Sequence, residues 1–183
     1  METILSWCHH NKLLINWSKT FGMFIASNTK LLPKAVTLYD IKIEVVNSFR
    51  LLGIELDSNL SFKSFVSNLC LTINRKLYSI KRIFQLCFSV KVQFFKTFLL
   101  PYFDYCISLC IYFSKTVLQK LCNMFYVCIF KLFKLNFSDQ DSTTVNNCLK
   151  KYNLFSFQHR VLYRILLFSY KTINIYKICS CSA

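Results

Sequence analysis

Glycine and proline are scarce, because the 183-residue chain contains only two of each. These residues terminate helices and supply turns, so their scarcity argues against a loop-rich or many-stranded fold and favours long helices. It also excludes a glycine-rich phosphate-binding loop. The length suits about one ordinary domain, and a hydrophobic content of 54% argues against intrinsic disorder.

Acidic residues are also few, eight against 23 lysines and arginines. Asp139 and Asp141 form the one close acidic pair outside the predicted strands. A two-metal catalytic site needs carboxylates that converge from rigid structure, whereas this pair falls in a predicted polar turn. We therefore interpret these two aspartates as solvated loop residues.

Cysteine and histidine show no zinc-site pattern. A structural zinc site needs four ligands, usually in two separated pairs, and neither Cys8-His9-His10 nor Cys179-Ser180-Cys181 has a partner at that spacing. His159 lacks the accompanying nucleophile and acid of a catalytic triad. We predict no cofactor, no bound metal and no small-molecule substrate.

The ten cysteines are not interpreted as a disulfide framework, because the acidic start at Met1-Glu2-Thr3 lacks the apolar run of a signal peptide. Six of them lie in apolar stretches, where a free thiol behaves as a small hydrophobe: Cys70, Cys87, Cys106, Cys110, Cys122 and Cys128. This pattern predicts an intracellular protein, cytoplasmic or nuclear, with reduced thiols.

No apolar run reaches the roughly 20 residues that a membrane-spanning helix needs. The stretch 92–113 is interrupted by Lys96, Pro101 and Asp104, and the stretch 121–130 has only ten residues. We predict no transmembrane segment. An amphipathic helix that lies on a membrane surface stays open as an alternative.

The first 60 residues predict a small antiparallel β element. A short helix within 1–14 and a turn at 16–18 are followed by strand character at 20–27 and a polar loop at 28–34. The β-branched runs 36–39 and 42–46 predict a hairpin around Asp40. Residues 49–57 alternate and predict one further strand, with Gly53 at a bulge or close approach, and Ser61 is the predicted N-cap of the next helix.

Helical periodicity begins after Ser61. One apolar stripe recurs at steps of three and four residues: Phe62, Phe65, Val66, Leu69, Ile73, Leu77, Ile80 and Phe84. Further helices are predicted at 89–100, 102–112, 115–134, 143–152 and 157–174, with breaks at Pro101 and around 136–144. The predicted fold is α+β and mostly α, with five or six helices over 61–174 and the first of them longest.

The positive charge is concentrated behind residue 60. Residues 1–60 hold six lysines and arginines against five acids, whereas residues 61–183 hold 17 against three. A basic, aromatic-rich helical region indicates a polyanionic partner, with nucleic acid as the first candidate and an anionic membrane as the second. The alternative is that solvated lysines only keep an apolar protein soluble. On the predicted first helix, Arg75, Lys76, Lys81 and Arg82 lie off the apolar stripe and are our candidate phosphate contacts.

Three stretches resemble one protein family. Residues 7–20, WCHHNKLLINWSKT, resemble the pattern W-C-x-x-N-K-L-x-I-N-x-x-K-T, and residues 49–62, FRLLGIELDSNLSF, are similar to F-x-Y-L-G-x-x-L-D-x-x-L-S-F. Residues 100–106, LPYFDYC, match L-P-x-x-D-Y-C, and Gln119-Lys120-Leu121 follow at the expected place. The order and approximate spacing are those of reverse transcriptases (RNA-directed DNA polymerases) of non-LTR, LINE-type retrotransposons. The stretch around 157–160 is a less specific match.

The resemblance implies a role for each region. Residues 1–60 would be the end of the palm, in which Lys19 aligns with a motif D lysine and Leu52 and Gly53 lie in the primer grip. Residues 61–134 would be a helical thumb that clamps the RNA/DNA template–primer duplex, followed by a C-terminal helical extension at 135–183.

The chain also departs from the family. The family binds its catalytic magnesium through a Y/F-A-D-D turn and an upstream aspartate, but no Asp-Asp pair occurs here, and Leu51 replaces the usual aromatic of the grip. We expect a truncated fragment without polymerase activity that retains non-sequence-specific nucleic-acid binding. The alternatives are a non-functional remnant or a small basic helical protein that acts in protein interaction or at a membrane surface, with self-association through exposed apolar faces.

Overall fold

The computed structural model describes residues 2–25, 33–38, 41–79, 85–105, 107–133 and 142–180. The chain divides into two units, Met1–Phe62 (unit 1) and Lys63–Ala183 (unit 2). All described strands belong to unit 1, and the described elements of unit 2 are all helices. The predicted α+β, mostly α fold is therefore confirmed, as is the prediction of helices alone after residue 60 in the described ranges.

Unit 1 consists of a short helix and two antiparallel hairpins. Its elements are α1 Glu2–His10, a 3₁₀ turn Trp17–Lys19, β1 Ala35–Leu38, β2 Ile41–Glu44, β3 Ser48–Leu51 and β4 Ile54–Asp57. β1 pairs with β2 in the register Ala35 to Glu44, which confirms the first predicted hairpin. Its turn residue Asp40 lies outside the described residues.

The second hairpin corrects the prediction of one continuous strand over 49–57. Leu52 and Gly53 form a two-residue turn, and β3 pairs with β4 in the register Ser48 to Asp57. Alternation of apolar and polar residues is the same before and after a tight turn, so the pattern alone did not reveal the reversal. Gly53 is thus a turn residue and not the predicted bulge.

The predicted strand at 20–27 forms only one bridge within its described residues, between Gly22 and Val45. The Gly22 amide donates to the Glu44 carbonyl at 2.9 Å, and the Val46 amide donates to the Gly22 carbonyl at 2.9 Å. Phe21 adds a ring contact with Phe49, with centroids 5.6 Å apart. Backbone and side chain therefore attach this segment to the hairpins. Most of the predicted loop 28–34 lies outside the described residues.

Unit 2 contains six described α-helices. They are α2 Lys63–Ser79, α3 Phe88–Phe94, α4 Leu100–Asp104, α5 Lys115–Phe133, α6 Ser142–Lys151 and α7 Phe157–Ser180. α5 and α6 agree with the prediction to within about one residue. The predicted helix 102–112 is wrong, because α4 ends at Asp104 and Ile107–Tyr112 is a 3₁₀ helix. The first helix is not the longest either, since α7 has 24 residues and α2 has 17.

The predicted break at Pro101 is also wrong. Residues 88–104 form one continuous helical run, in which a π-helical segment, Phe95–Leu99, joins α3 to α4. Proline lacks an amide hydrogen and its ring collides with the carbonyl four residues earlier. The wider π turn directly before Pro101 relieves both problems at the first turn of α4. The helix therefore continues past the proline.

An aromatic cluster forms the centre of unit 2. Phe95, Phe103, Phe125 and Phe157 are each at most 1% exposed. The ring of Phe125 meets the edges of Phe95 and Phe103 with centroids 5.6 and 5.3 Å apart, an arrangement that aromatic pairs favour. The predicted α2 stripe is buried at Phe62, Phe65, Val66, Ile73 and Leu77, and Leu69 is half-buried. Ile80 and Phe84 lie outside the described residues.

The structure shows seven free thiols: Cys8, Cys70, Cys87, Cys110, Cys122, Cys128 and Cys148. Cys70, Cys110, Cys122 and Cys128 are buried, and burial raises the pKa of Cys110 to about 11 and of Cys128 to about 12. Cys87 is exposed, although it lies in an apolar stretch of the sequence. Cys106 lies outside the described residues.

α5 is the one helix of the described residues that is long and apolar enough to cross a membrane. Ten of its residues are buried inside unit 2, and they include most of the apolar stretch 121–130. The helix therefore packs as the core element of this unit, in agreement with the prediction that the stretch is not a membrane span.

Candidate nucleic-acid interface

Leu52 and Gly53, the predicted primer-grip residues, form the tip of the β3–β4 hairpin. Both have positive φ, 49° and 85°, the combination that defines a type I′ turn. Gly53 adopts this conformation without strain, whereas Leu52 is an unusual residue there. Leu52 is also 82% exposed. The tip thus presents an apolar side chain at a position where neither burial nor turn chemistry favours leucine.

The base of the same hairpin is held by the carboxylate of Asp57. Its Oδ1 accepts hydrogen bonds from the Asn59 and Ser61 amides at 3.1 and 2.9 Å, and its Oδ2 accepts from the Ser61 hydroxyl and the Phe62 amide at 2.9 and 3.1 Å. Burial acts to raise the pKa of Asp57, but these hydrogen bonds outweigh it and hold the pKa below its usual value.

The same network includes Ser61, the predicted N-cap of the next helix. The Ser61 hydroxyl donates to Asp57, two residues before α2 begins at Lys63. The network also holds Leu60 and Phe62 at positive φ, 49° and 55°. Asp57 and Ser61 of the D-x-x-L-S-F block therefore have a structural role, which is to shape the loop that follows the hairpin.

Lys19, the predicted motif D lysine, ends the 3₁₀ turn of unit 1 and is exposed. Its amide donates to the Asn16 carbonyl at 3.1 Å, which closes the turn. The next residues lead to the contacts of Phe21 and Gly22 with the hairpins described above. Lys19, Leu52 and Gly53 all lie in unit 1.

Arg75 and Lys76 are exposed on the outer side of α2, as the off-stripe positions predicted. The Lys76 Nζ lies 5.5 Å from the ring centroid of Tyr102 on α4, a cation–π contact. The charged ends of Arg75 and Lys76 therefore lie on the exposed side of the last turns of this helix. Lys81 and Arg82, the other two predicted phosphate contacts, lie outside the described residues.

Two lysines of α5 join this surface, and sequence analysis did not identify them. Lys120 Nζ donates to the Ser67 hydroxyl of α2 at 2.8 Å, and Lys131 Nζ lies 5.2 Å from the ring centroid of Tyr78. Both pairs are separated by 53 residues in sequence, so α2 and α5 run parallel and side by side. Eleven residues of helix place Lys120 and Lys131 about 16 Å apart on one side of α5.

A helical wheel of α5 places both lysines opposite its buried residues and was an available signal. No pattern in the sequence, however, indicated that α5 lies beside α2. We call the exposed edge formed by these two helices the α2–α5 edge; it contains Ser67, Leu71, Tyr78, Lys120 and Lys131.

Asp104 is the one carboxylate among the described residues of unit 2. It accepts a bidentate pair from Arg160 of α7, with Arg160 Nη2 at 2.7 Å from Oδ1 and 2.5 Å from Oδ2. Arg164 Nη2 lies 3.4 Å from Oδ2. The aspartate of the L-P-x-x-D-Y-C block is therefore neutralised within the fold.

The weakly matched stretch 157–160 proves to be an anchor of α7. Phe157 enters the aromatic cluster, Arg160 binds Asp104, and the Gln158 Oε1 accepts a hydrogen bond from the Tyr126 hydroxyl at 3.2 Å. Three of its four residues thus contact elements that precede them by more than 30 residues. This segment joins α7 to α4 and α5.

The described residues contain no group of three or more His, Cys, Asp or Glu side chains that could hold a metal ion. Asp139, Asp141 and Cys181 lie outside the described ranges, so the structure does not bear on the interpretation of these residues. The described residues of unit 2 present a set of exposed cations, and a tyrosine ring lies beside three of them: Lys76, Lys131 and Lys151.

Comparison with family models, with curated proteins and with solved structures found no match to this chain. A relation to reverse transcriptases therefore stays a prediction from the three sequence blocks.

Proposed function

We propose that unit 2 binds nucleic acid through its phosphates, without regard to base sequence. The observation that carries this proposal is the charge balance of the α2–α5 region. Two adjacent helices carry four exposed cations: Arg75, Lys76, Lys120 and Lys131. The contacts described above for Lys76, Lys120 and Lys131 are with neutral partners, a tyrosine ring or a serine hydroxyl. The one described carboxylate of the unit is already bound by Arg160.

Such a surface suits a phosphate backbone for a physical reason. Lysine and arginine contacts to phosphates position a protein on nucleic acid and carry no base information. Each neutralised phosphate releases condensed counterions, so affinity falls steeply as salt concentration rises. An RNA/DNA template–primer duplex is the ligand that the resemblance implies.

The test replaces the four candidate phosphate contacts predicted from the sequence, Arg75, Lys76, Lys81 and Arg82, by glutamine. We expect weaker binding of every duplex sequence and a salt slope flattened by about one unit per lost contact. Helix stability should change little, since glutamine is nearly as good a helix former. Fluorescence anisotropy with labelled RNA/DNA and DNA duplexes at several salt concentrations measures both quantities.

The matched control removes the same charge elsewhere, by glutamine replacement of four exposed lysines: Lys96, Lys115, Lys150 and Lys171. If the lysines serve only solubility, the two quadruple variants will bind alike and both will aggregate more readily. An unchanged salt slope in the variant that lacks Arg75, Lys76, Lys81 and Arg82 would refute the proposal.

We also propose that the chain derives from the palm-end and thumb region of a non-LTR reverse transcriptase and does not polymerise. The proposal rests on the three matched blocks together with the lack of an Asp-Asp pair in these 183 residues. Purified protein with primed template, nucleotides and magnesium or manganese should incorporate nothing above a mock preparation. Template-directed incorporation that survives this control would contradict it.

A second candidate function is association with a membrane surface or with another protein, and α7 is the observation that favours it. Six large side chains within twelve residues of α7 are more than half exposed: Leu162, Tyr163, Leu166, Phe168, Tyr170 and Ile173. The helix contains no acidic residue. Exposed apolar faces of this kind bind lipid, partners or further copies of the chain. Sedimentation with phosphatidylserine vesicles, and size-exclusion chromatography without lipid, would test both forms.

A further inference from the structure

Tyr78 is an exposed aromatic ring beside a cation on the α2–α5 edge. Its side chain is 64% exposed, and Lys131 Nζ lies 5.2 Å from its ring centroid. Leu71, two helical turns earlier on α2, is 53% exposed. Ser67 and Lys120 lie one further turn back, so apolar groups alternate with cations along this edge.

We propose that the α2–α5 edge binds single-stranded nucleic acid, with an unpaired base stacked on Tyr78 and phosphates at Lys131 and Lys120. This inference rests on the proposed phosphate binding of unit 2 and adds the class of strand that the surface prefers.

The argument for a single strand comes from what each ligand exposes. In a duplex the faces of the bases are stacked on one another, so a protein surface meets phosphates and groove edges. An unpaired base offers its π face, and base–aromatic stacking combined with a basic track is the usual way in which proteins hold single strands. A ring beside Lys131, with Lys120 about 16 Å further along α5, provides both elements on one edge.

The same edge is poorly suited to a membrane. A helix that lies on a bilayer buries a continuous apolar face. On the outer side of α2, Leu71 and Tyr78 are separated by the polar residues Asn74 and Arg75, and Ser64 and Asn68 precede them. The apolar groups are therefore isolated, as binding sites for single bases are, and do not form a stripe.

The test measures the ratio of single-strand to duplex affinity. The probes are one mixed-sequence DNA 20-mer and the same strand in a duplex, both labelled and measured by anisotropy at about 50 mM salt, where phosphate contacts are strong. The Tyr78→Leu variant removes the ring and keeps an apolar, helix-favouring side chain. We expect its single-strand affinity to fall about tenfold and its duplex affinity to stay within twofold.

Two further variants control the result. Tyr78→Phe keeps the ring and loses only the hydroxyl, so it should retain the wild-type ratio. Tyr170→Leu removes a tyrosine of similar exposure, 67%, from α7 and should also leave the ratio unchanged. In addition, a 20-mer that contains 5-iodouracil should form a photo-crosslink on the peptide with Tyr78, a measurement that needs no variant.

The outcomes separate this inference from the proposed function. If the wild-type protein binds neither probe at low salt, phosphate binding fails and the stacking inference fails with it. If both probes bind with the expected salt dependence but Tyr78→Leu leaves the ratio unchanged, only the stacking inference is overturned. It is also overturned if Tyr78→Leu lowers the affinity for the single strand and for the duplex equally, or if the crosslinks lie only on other peptides. The same holds if Tyr78→Leu weakens binding to phosphatidylserine vesicles more than binding to the single strand.

Discussion

The ion pair of Asp104 with Arg160 joins the end of α4 to the start of α7 and allows a quantitative prediction. Replacing Asp104 by asparagine keeps the shape of the side chain and removes its charge. Replacing Arg160 by methionine keeps a long aliphatic stem and removes its donors. Neither residue belongs to the α2–α5 edge, so the two changes test the packing of unit 2.

The magnitude follows from geometry and burial. The Asp104 and Arg160 side chains are 22% and 14% exposed, and the pair is bidentate at 2.5 to 2.7 Å. Exposed ion pairs contribute less than about 1 kcal/mol, whereas breaking a fully buried pair costs about 3–5 kcal/mol. This pair lies between those limits, so we expect Asp104→Asn to lower the free energy of unfolding by about 2 kcal/mol.

Urea unfolding followed by circular dichroism at 222 nm measures the effect, because unit 2 holds most of the helix. With an m-value of about 2 kcal/mol/M, the midpoint should fall by about 1 M. The double variant should lose less than the sum of the single losses, with a coupling energy of about 1.5 kcal/mol. The control pair is Asp104 with Arg164, which is 3.4 Å away and 44% exposed and should couple by less than about 0.5 kcal/mol. Equal coupling of both arginines would refute the reasoning.

Three further predictions concern single positions. Asp57→Asn should destabilise unit 1 by about 1 kcal/mol at neutral pH, as followed by the fluorescence of Trp7 and Trp17 during unfolding. Because the pKa of Asp57 is lowered in the folded protein, the difference in stability from wild type should shrink as pH falls below about 4. A stability difference that stays constant with pH would contradict this. Leu52→Asn should raise the free energy of unfolding by about 0.5 to 1 kcal/mol, since asparagine suits a positive φ in a type I′ turn; a lower free energy of unfolding would show that the exposed leucine stabilises the hairpin. At pH 7.5 iodoacetamide should modify Cys87 long before Cys128. A hydrogen bond with Ser89 lowers the pKa of Cys87, whereas burial raises the pKa of Cys128 to about 12. Equal modification rates of the two thiols without urea, measured by peptide mass spectrometry, would refute this prediction.

Local patterns in the sequence were sufficient for several features. The periodicity after Ser61 predicted the buried side of α2, and the positions off that stripe, Arg75 and Lys76, are exposed. The β-branched runs on either side of Asp40 predicted the β1–β2 hairpin. These features depend on contacts between residues close in sequence, or on the simple division of a helix into an apolar and a polar side.

The errors arose where two local signals compete or where the signal is symmetric. Alternation at 49–57 is the same for one strand and for a hairpin, and only the positive φ of Leu52 and Gly53 distinguishes them. Pro101 predicted a helix end, but the π segment before it allows the helix to continue.

The sequence by itself determined the helical class of unit 2, the excess of positive charge behind residue 60 and the resemblance to one family. Only the tertiary structure decided which charges act together. Lys120 and Lys131 contact side chains of α2 because α5 packs parallel to it. The charge of Asp104 is neutralised because Arg160, 56 residues later in the sequence, binds it. Side chains so far apart in sequence are brought together by burial of the phenylalanine core, and a one-dimensional pattern contains no record of that packing.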